Sequence, residues 1–168
     1  MEEVLNSNHR VAILVDSSNL FITARHKGAK VNYQCLLGRL NGRRIVRSIL
    51  YHVEADAAKE ECFLRKIKSF GFEVRKKKLK TYRNGDRKGD MDVDITIDAV
   101  CLADKVDVIC LVSGDGDYVP LVHYLKSRGV RVEAMAFKSN TSGALRDAVD
   151  AFTPITEDML IRPEPSPE

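Results

Sequence analysis

Apolar residues in this chain fall into runs of different texture, and the texture predicts the elements. Val11-Ala-Ile-Leu-Val15 and Val108-Ile-Cys-Leu-Val112 are continuous and rich in β-branched residues. Runs of that length without polar interruption predict strands covered on both faces. Residues 44–53 are again rich in β-branched residues and predict a strand, residues 130–137 alternate and predict another, and residues 151–155 predict a short last one. Between the strands lie helical patterns at 32–40, 91–103, 118–127 and 142–149. Asp56 is placed to cap a further helix that runs to about residue 70, where Gly71 stops it. Residues 72–80 read as extended and basic, and 82–90 as a polar loop in which Asn84-Gly85 can form a hairpin turn. Strands alternating with helices predict right-handed βαβ units and a mainly parallel α/β sheet with helices on both faces. Ligands of such sheets bind beyond the carboxyl ends of the strands.

Length and composition narrow the class. A chain of 168 residues with 44% hydrophobic and 30% charged residues has material for one domain with a core. The expected organisation is a short flexible segment at 1–9, one domain over 10–156 and a proline-rich disordered tail at 157–168. No apolar run approaches the roughly 18 residues of a membrane span, and the first ten residues lack the basic-then-apolar order of a signal peptide. The expectation is a cytoplasmic protein that does not engage a membrane. Cys35, Cys62, Cys101 and Cys110 form no CxxC pair and read as ordinary buried thiols, and the four histidines are scattered. Neither residue type supports a zinc site.

The candidate chemistry is carried by aspartates. Asp16 directly follows the first apolar strand, and Asp115 follows the second after Ser113-Gly114. If those strands are neighbours, both carboxylates project at one edge of the sheet, with Asp117 two residues on and Asn19 and Ser113 adding neutral oxygen groups. Converging carboxylates repel unless something neutralises them, and a divalent cation is the usual answer. Hard oxygen ligands favour Mg²⁺ or Mn²⁺ over zinc. A third acidic stretch, Asp90-Met-Asp-Val-Asp-Ile-Thr-Ile-Asp98, falls on the helix predicted at 91–103. There Val93, Ile97 and Val100 form an apolar stripe, Asp94 and Asp98 flank it, and Asp92 lies near the helix start, where the dipole favours a carboxylate.

Three segments in order, Val15-Asp16-Ser17-Ser18-Asn19-Leu20, Lys88-Gly-Asp-Met-Asp-Val93 with Asp98 beyond it, and Leu111-Val-Ser-Gly-Asp-Gly-Asp-Tyr118, resemble the NYN domain family. The likeness is to its LabA-like branch within the PIN-like nucleases, and it spans about residues 10–155. The resemblance implies a Rossmann-like three-layer α/β/α sandwich and metal-dependent hydrolysis of RNA phosphodiester bonds. It implies Asp16, Asp92, Asp115 and Asp117 as the catalytic and metal-holding centre, with Asn19 supporting Asp16 and Asp98 as an accessory carboxylate.

Charge is uneven. The net charge is +3, yet eight basic residues and a single aspartate lie between Arg75 and Lys88, leaving the rest of the chain net acidic. A basic segment leading into an acidic helix suggests contacts to flanking phosphates, for which Lys76, Lys78, Lys80, Arg83, Arg87 and Lys88 are the candidates. A solvated edge strand protected by lysines is the competing explanation. Tyr82 and Tyr118 could stack on an unpaired base of single-stranded RNA, although packing is the favoured role for Tyr118. Rival functions are a non-catalytic RNA-binding or regulatory module of the same fold, and a small-molecule phosphatase. The second lacks the Asp-x-Asp pair after the first strand, where Ser17-Ser18 stand instead. No Walker A or GxGxxG pattern is present. A homodimer is the default assembly, because small symmetric dimers are common.

Overall fold

The two continuous apolar runs become adjacent central strands. In the computed structural model, which describes residues 8–164 without the side chains of Arg87 and Lys88, β1 (Arg10–Asp16) pairs in parallel with the strand Val108–Val112, Val15 standing opposite Val112. The elements in chain order are β1, α1 (Ser17–His26), β2 (Lys30–Val31), α2 (Tyr33–Gly38), β3 (Arg44–Glu54), α3 (Ala57–Ser69), β4 (Glu73–Lys78), β5 (Lys80–Thr81), β6 (Arg87–Lys88), α4 (Asp92–Leu102), β7 (Val108–Val112), α5 (Val119–Ser127), β8 (Arg131–Ala136), α6 (Gly143–Ala148), β9 (Ala151–Pro154) and β10 (Leu160–Ile161). The six main strands form one parallel sheet in the order β4-β3-β1-β7-β8-β9. From β1 the chain builds outward through β3 to β4, then returns to β7 and builds the other way. β1 and β7 therefore flank the topological switch point, where α/β sheets open a crevice.

Side chains alternate across this sheet and divide the core in two. Ala12, Leu14, Ile49, Tyr51, Ile109 and Leu111 pack beneath α4, α5 and α6. Val11, Ile13, Val15, Leu50, Val108 and Cys110 pack beneath α1, α2 and the Ile67 face of α3. The result is the three-layer α/β/α sandwich that the resemblance implied. Among the described residues, no helix is long and apolar enough to cross a membrane.

Several local expectations shift. Residues 17–26, to which the sequence pattern assigned no element, form α1 because Asp16 caps it, its side chain accepting from the backbone N–H of Asn19. The alternation predicted at 130–137 is a nearly continuous buried run, in which Glu133 is neutralised by Arg43 at 2.7 Å and Arg131 at 2.9 Å. The polar loop at 82–90 carries the antiparallel hairpin β5–β6, with Gly85 at φ 85 in its turn. Residues from 157 onward, expected to lack structure, instead make a short 3-10 turn, Glu157–Met159, and then β10, which pairs with β2. Met159 is fully buried in the core and anchors this segment. Residues 165–168 of the expected tail and 1–7 of the expected N-terminal segment lie outside the described residues.

The apolar stripe that the sequence places on α4 faces outward. Val93, Ile97 and Val100 are 65%, 56% and 38% exposed, whereas Ile95, Ala99 and Leu102 meet the sheet. The helix is apolar on two sides, and the side with the small residue Ala99 lies flat on β1 and β3. The thiol expectation changes likewise: Cys110 is buried, with its pKa pushed up to about 12 by burial, but Cys62 and Cys101 stand on the outer faces of α3 and α4.

Candidate metal centre

Three chain segments deliver carboxylates to the crevice between β1 and β7. Asp16 is the last residue of β1, Asp92 opens α4, and Asp115 follows β7 after Ser113-Gly114. Asp115 caps the short 3-10 turn Gly116–Tyr118, its side chain accepting from the N–H of Asp117 at 2.9 Å. This cap holds both carboxylates on one turn. One oxygen each of Asp92, Asp115 and Asp117 lies within 4.8 Å of the others.

Asp16 sits deeper, 7% exposed, and outside that three-acid group. Its carboxylate accepts from the N–H of Asn19 (3.2 Å), the hydroxyl of Ser113 (3.3 Å) and the hydroxyl of Tyr118 (3.4 Å). Burial, assisted by the charge of Asp92, nevertheless pushes its pKa up to about 6. Burial also raises Asp92; the Tyr118 hydroxyl opposes that shift, and the charges of Asp90, Asp115 and Asp117 add to it.

Tyr118 is the residue whose role the sequence concealed. It is 2% exposed, and its hydroxyl donates to Asp92 at 2.9 Å while also facing Asp16. Burial and the surrounding carboxylates hold the phenol firmly protonated. It is thus a packed residue, not a stacking platform, and it ties two acids from different layers together. Its position directly after Asp117 was the available signal. Tyr118→Phe keeps the ring and is expected to alter stability by no more than about 1 kcal/mol. It should weaken Mn²⁺ binding about tenfold, as loss of a ligand-orienting group does. Calorimetric titration with Mn²⁺ measures this; an unchanged affinity would reduce Tyr118 to a core residue.

Asn19, expected to support Asp16, gives it only a backbone N–H, and its amide oxygen accepts from the N–H of Gly114 at 3.0 Å. It thereby joins α1 to the loop after β7. A second brace also went unread. Ser17 Oγ lies 3.2 Å from His52 Nδ1, and His52 Nε2 lies 2.7 Å from Glu60, which further accepts from the N–H groups of Ala55 and Asp56. The start of α1 is pinned to β3 and α3 through this chain.

Asp98 is not brought to the cluster. It lies six residues beyond Asp92, roughly 9 Å along the helix, and is occupied by the Tyr51 hydroxyl (2.7 Å) and Arg75 (2.9 Å). Asp94 is likewise paired with Lys77 at 2.8 Å. By contrast, none of Asp16, Asp92, Asp115 and Asp117 has a cationic partner among the described residues. Two acids of α4 beside the site are thus ion-paired, and the four at the site are not, among the described residues.

The basic segment divides in two. On β4, Arg75 and Lys77 serve Asp98 and Asp94, and Lys76 pairs with Glu54 at 2.7 Å. Lys76, expected at RNA, is therefore committed to a buried carboxylate that needs a cation. Lys78, Lys80 and Arg83 are exposed and without partners among the described residues, and Tyr82 is half exposed at the tip of the hairpin. The candidate side chains of Arg87 and Lys88 lie outside the described residues. The return strand leads through Gly89 into α4. A Cβ on Gly89 would lie 2.5 Å from Val53, so the end of the hairpin packs closely against β3, three residues before Asp92.

Comparison with known proteins agrees with this architecture. The NYN domain profile matches residues 10–156. The chain is 26% identical over 170 residues to the low amplitude and bright protein LabA of Synechococcus elongatus, a match covering 93% of this chain and 91% of that protein. A protein of unknown function from Vibrio parahaemolyticus has a crystal structure that superimposes with a TM-score of 0.84 at 33% identity, covering 96% of this chain and all of the other.

Proposed function

The chain belongs to the NYN domain family, whose domains are generally nucleases, and from that premise we propose that it is a metal-dependent endoribonuclease acting on single-stranded RNA. One observation carries the proposal. Three carboxylates converge within 4.8 Å with no cationic partner among the described residues, whereas Asp94 and Asp98 on the same helix as Asp92 are paired with Lys77 and Arg75. The all-oxygen donor set fits Mg²⁺ or Mn²⁺.

Asp92, Asp115 and Asp117 would hold the cation. When bound, it would supply Lewis-acid stabilisation to a phosphate and acidify a nucleophilic water. The residues of the chain do the rest. Tyr118 keeps Asp92 oriented by donating to it at 2.9 Å and holds its hydroxyl 3.4 Å from Asp16. Asp16, shielded from solvent, is a carboxylate matched to holding a proton near neutral pH. Gly114 and Gly116 let the 138–142 segment close against the loop that carries Asp115 and Asp117. Lys78, Lys80 and Arg83 would hold phosphates on the approach to Asp92, and Tyr82 offers a ring to an unpaired base.

End-labelled single-stranded RNA incubated with the protein and Mn²⁺ or Mg²⁺ tests this reading. Cleavage should appear with metal, vanish with EDTA, and fall at least about a hundredfold in Asp115→Asn, a change that keeps the helix-capping oxygen. Binding of RNA without cleavage in either metal would sink the enzyme and leave a regulatory RNA-binding module.

A further inference from the structure

Beside the acids, on the side formed by the segment after β8, lies a polar groove of about 470 Å³ lined by Asn19, Gly114, Asp115, Ser139, Asn140 and Ser142, among others. That volume is within the range of small-ligand sites. Its far wall is the 138–142 segment, which is packed against the loop after β7 without slack. The N–H of Ser142 donates to the carbonyl of Gly114 at 2.9 Å, and a Cβ on Gly114 would lie 2.2 Å from the carbonyl oxygen of Asn140. A Cβ on Gly116 would meet the Ser142 hydroxyl at 2.8 Å. Asp115 is shared by the groove and the three-acid cluster. Asp115 thus stands between the three-acid cluster and the groove.

The hydrogen-bonding inventory of the wall is specific. Asn19 spends its amide oxygen on the N–H of Gly114, which leaves its Nδ2 hydrogens to donate. Asn140 spends an Nδ2 hydrogen on the Thr23 hydroxyl at 2.9 Å, which leaves its amide oxygen to accept. The Ser139 hydroxyl does either. None of these three groups has another partner among the described residues. The groove thus offers neutral donors and acceptors together, with the carboxylate of Asp115 at its inner edge. Phosphate, which only accepts and is repelled by Asp115, is a poor match. A ribose 2′-hydroxyl, which both donates and accepts, is a good one.

We propose that this groove seats the ribose next to the scissile phosphate and reads its 2′-hydroxyl through Asn19, Ser139 and Asn140, so that the site selects RNA over DNA. The inference rests on the nuclease reading above and adds the groups that set its substrate class. It assigns Ser139 and Asn140 to specificity, not to the chemical step: the hydroxyl is recognised, and the bond is broken by water.

The test is a set of end-labelled oligonucleotides of one sequence with a single cleavage site: all RNA, all DNA, and RNA carrying one 2′-deoxy nucleotide stepped through each position. Wild-type protein with Mn²⁺ should cut the RNA and lose about tenfold in kcat/KM when the deoxy nucleotide occupies one position adjoining the cleavage site. Ser139→Ala and Asn140→Ala should each shrink that penalty while still cutting RNA. Ser139→Ala touches no internal hydrogen bond, so it keeps the test alive if Asn140→Ala misfolds. Equal cleavage of RNA and DNA would overturn the inference and leave the nuclease reading intact. So would a deoxy penalty that both variants retain, since a 2′-hydroxyl used as the nucleophile would give that pattern. Folded protein that cuts neither nucleic acid in Mn²⁺ or Mg²⁺ would remove the nuclease reading and this inference with it.

Discussion

Metal-free protein will lose stability as the pH rises from about 4 to about 7, and Asp16→Asn will abolish most of that loss. The cause is the buried position of Asp16 between β1 and Tyr118. In the unfolded chain an aspartate titrates near 3.9; in the folded protein Asp16 is pushed up to about 6. Well below pH 4 both states hold the proton, and the group contributes nothing to the balance. Between 4 and 6 the folded state binds more protons than the unfolded state, so stability falls with rising pH. Above 6 the full cost is present, on the order of 2–3 kcal/mol for a shift of this size. Asp92, raised in the same direction, adds to the slope. Paired carboxylates such as Asp107, held down to about 2 by Arg10, tilt the profile the opposite way. The informative quantity is therefore the difference between wild type and Asp16→Asn. Asparagine keeps the oxygen that caps α1 and puts its amide NH2 where the other oxygen of Asp16 faces Ser113 and Tyr118, much as the protonated acid puts its O–H there. The variant should therefore come close to the wild type near pH 4 and exceed it by about 2 kcal/mol above pH 7. Urea unfolding in EDTA across this range measures it. A difference that does not change with pH would show that Asp16 titrates as an ordinary exposed acid.

Gly114→Ala is expected to be the most damaging single methyl group near the site. The added carbon would lie 2.2 Å from the backbone oxygen of Asn140 and 3.0 Å from the Cα of Thr141. Neither is the movable end of a side chain, so the 138–142 segment must retreat. Retreat strains the bonds from Ser142 to Gly114 and from Gly114 to Asn19. Overpacking of this kind costs about 1–3 kcal/mol, and the strained hydrogen bonds add to it, so a melting temperature lower by roughly 6–10 °C is expected. Asp115 would move with the loop, and Mn²⁺ binding should weaken in parallel. Gly143→Ala is the matched control, because a Cβ there meets nothing within 4 Å; it should be neutral or slightly stabilising. Equal melting temperatures for Gly114→Ala and wild type would mean that the close approach of the two loops is not what holds them.

Periodicity and residue order alone determined the strands and most helices of this protein. Val11–Val15 and Val108–Val112 are apolar on both faces, which only a central strand satisfies, and such strands put the residues that follow them at one edge of the sheet. That is why Asp16 and Asp115 were legible as a pair before any contact was known. Asp56 and Gly71 delimited α3 for the same local reason, a capping oxygen at one end and a left-handed turn at the other.

What only the tertiary structure decided are the pairings between distant segments. Asp92 and Asp98 are similar in sequence context, yet the packing of Ile95 and Ala99 against the sheet sends one to the cluster and the other to Tyr51 and Arg75. The helix is apolar on two sides, so its own pattern could not choose between them. The lysines of residues 75–88 are indistinguishable by composition; alternation along β4 sends Lys77 to α4 and Lys76 to Glu54, and only the positions of those acids decide which lysines are paired. Tyr118 joining Asp16 to Asp92, Ser17 reaching His52, and Asn140 closing on Gly114 all link residues far apart along the chain. Local propensity carries no term for such contacts. They arise when the sheet brings the carboxyl ends of β1, β7 and β8 to one edge, and there the site is assembled.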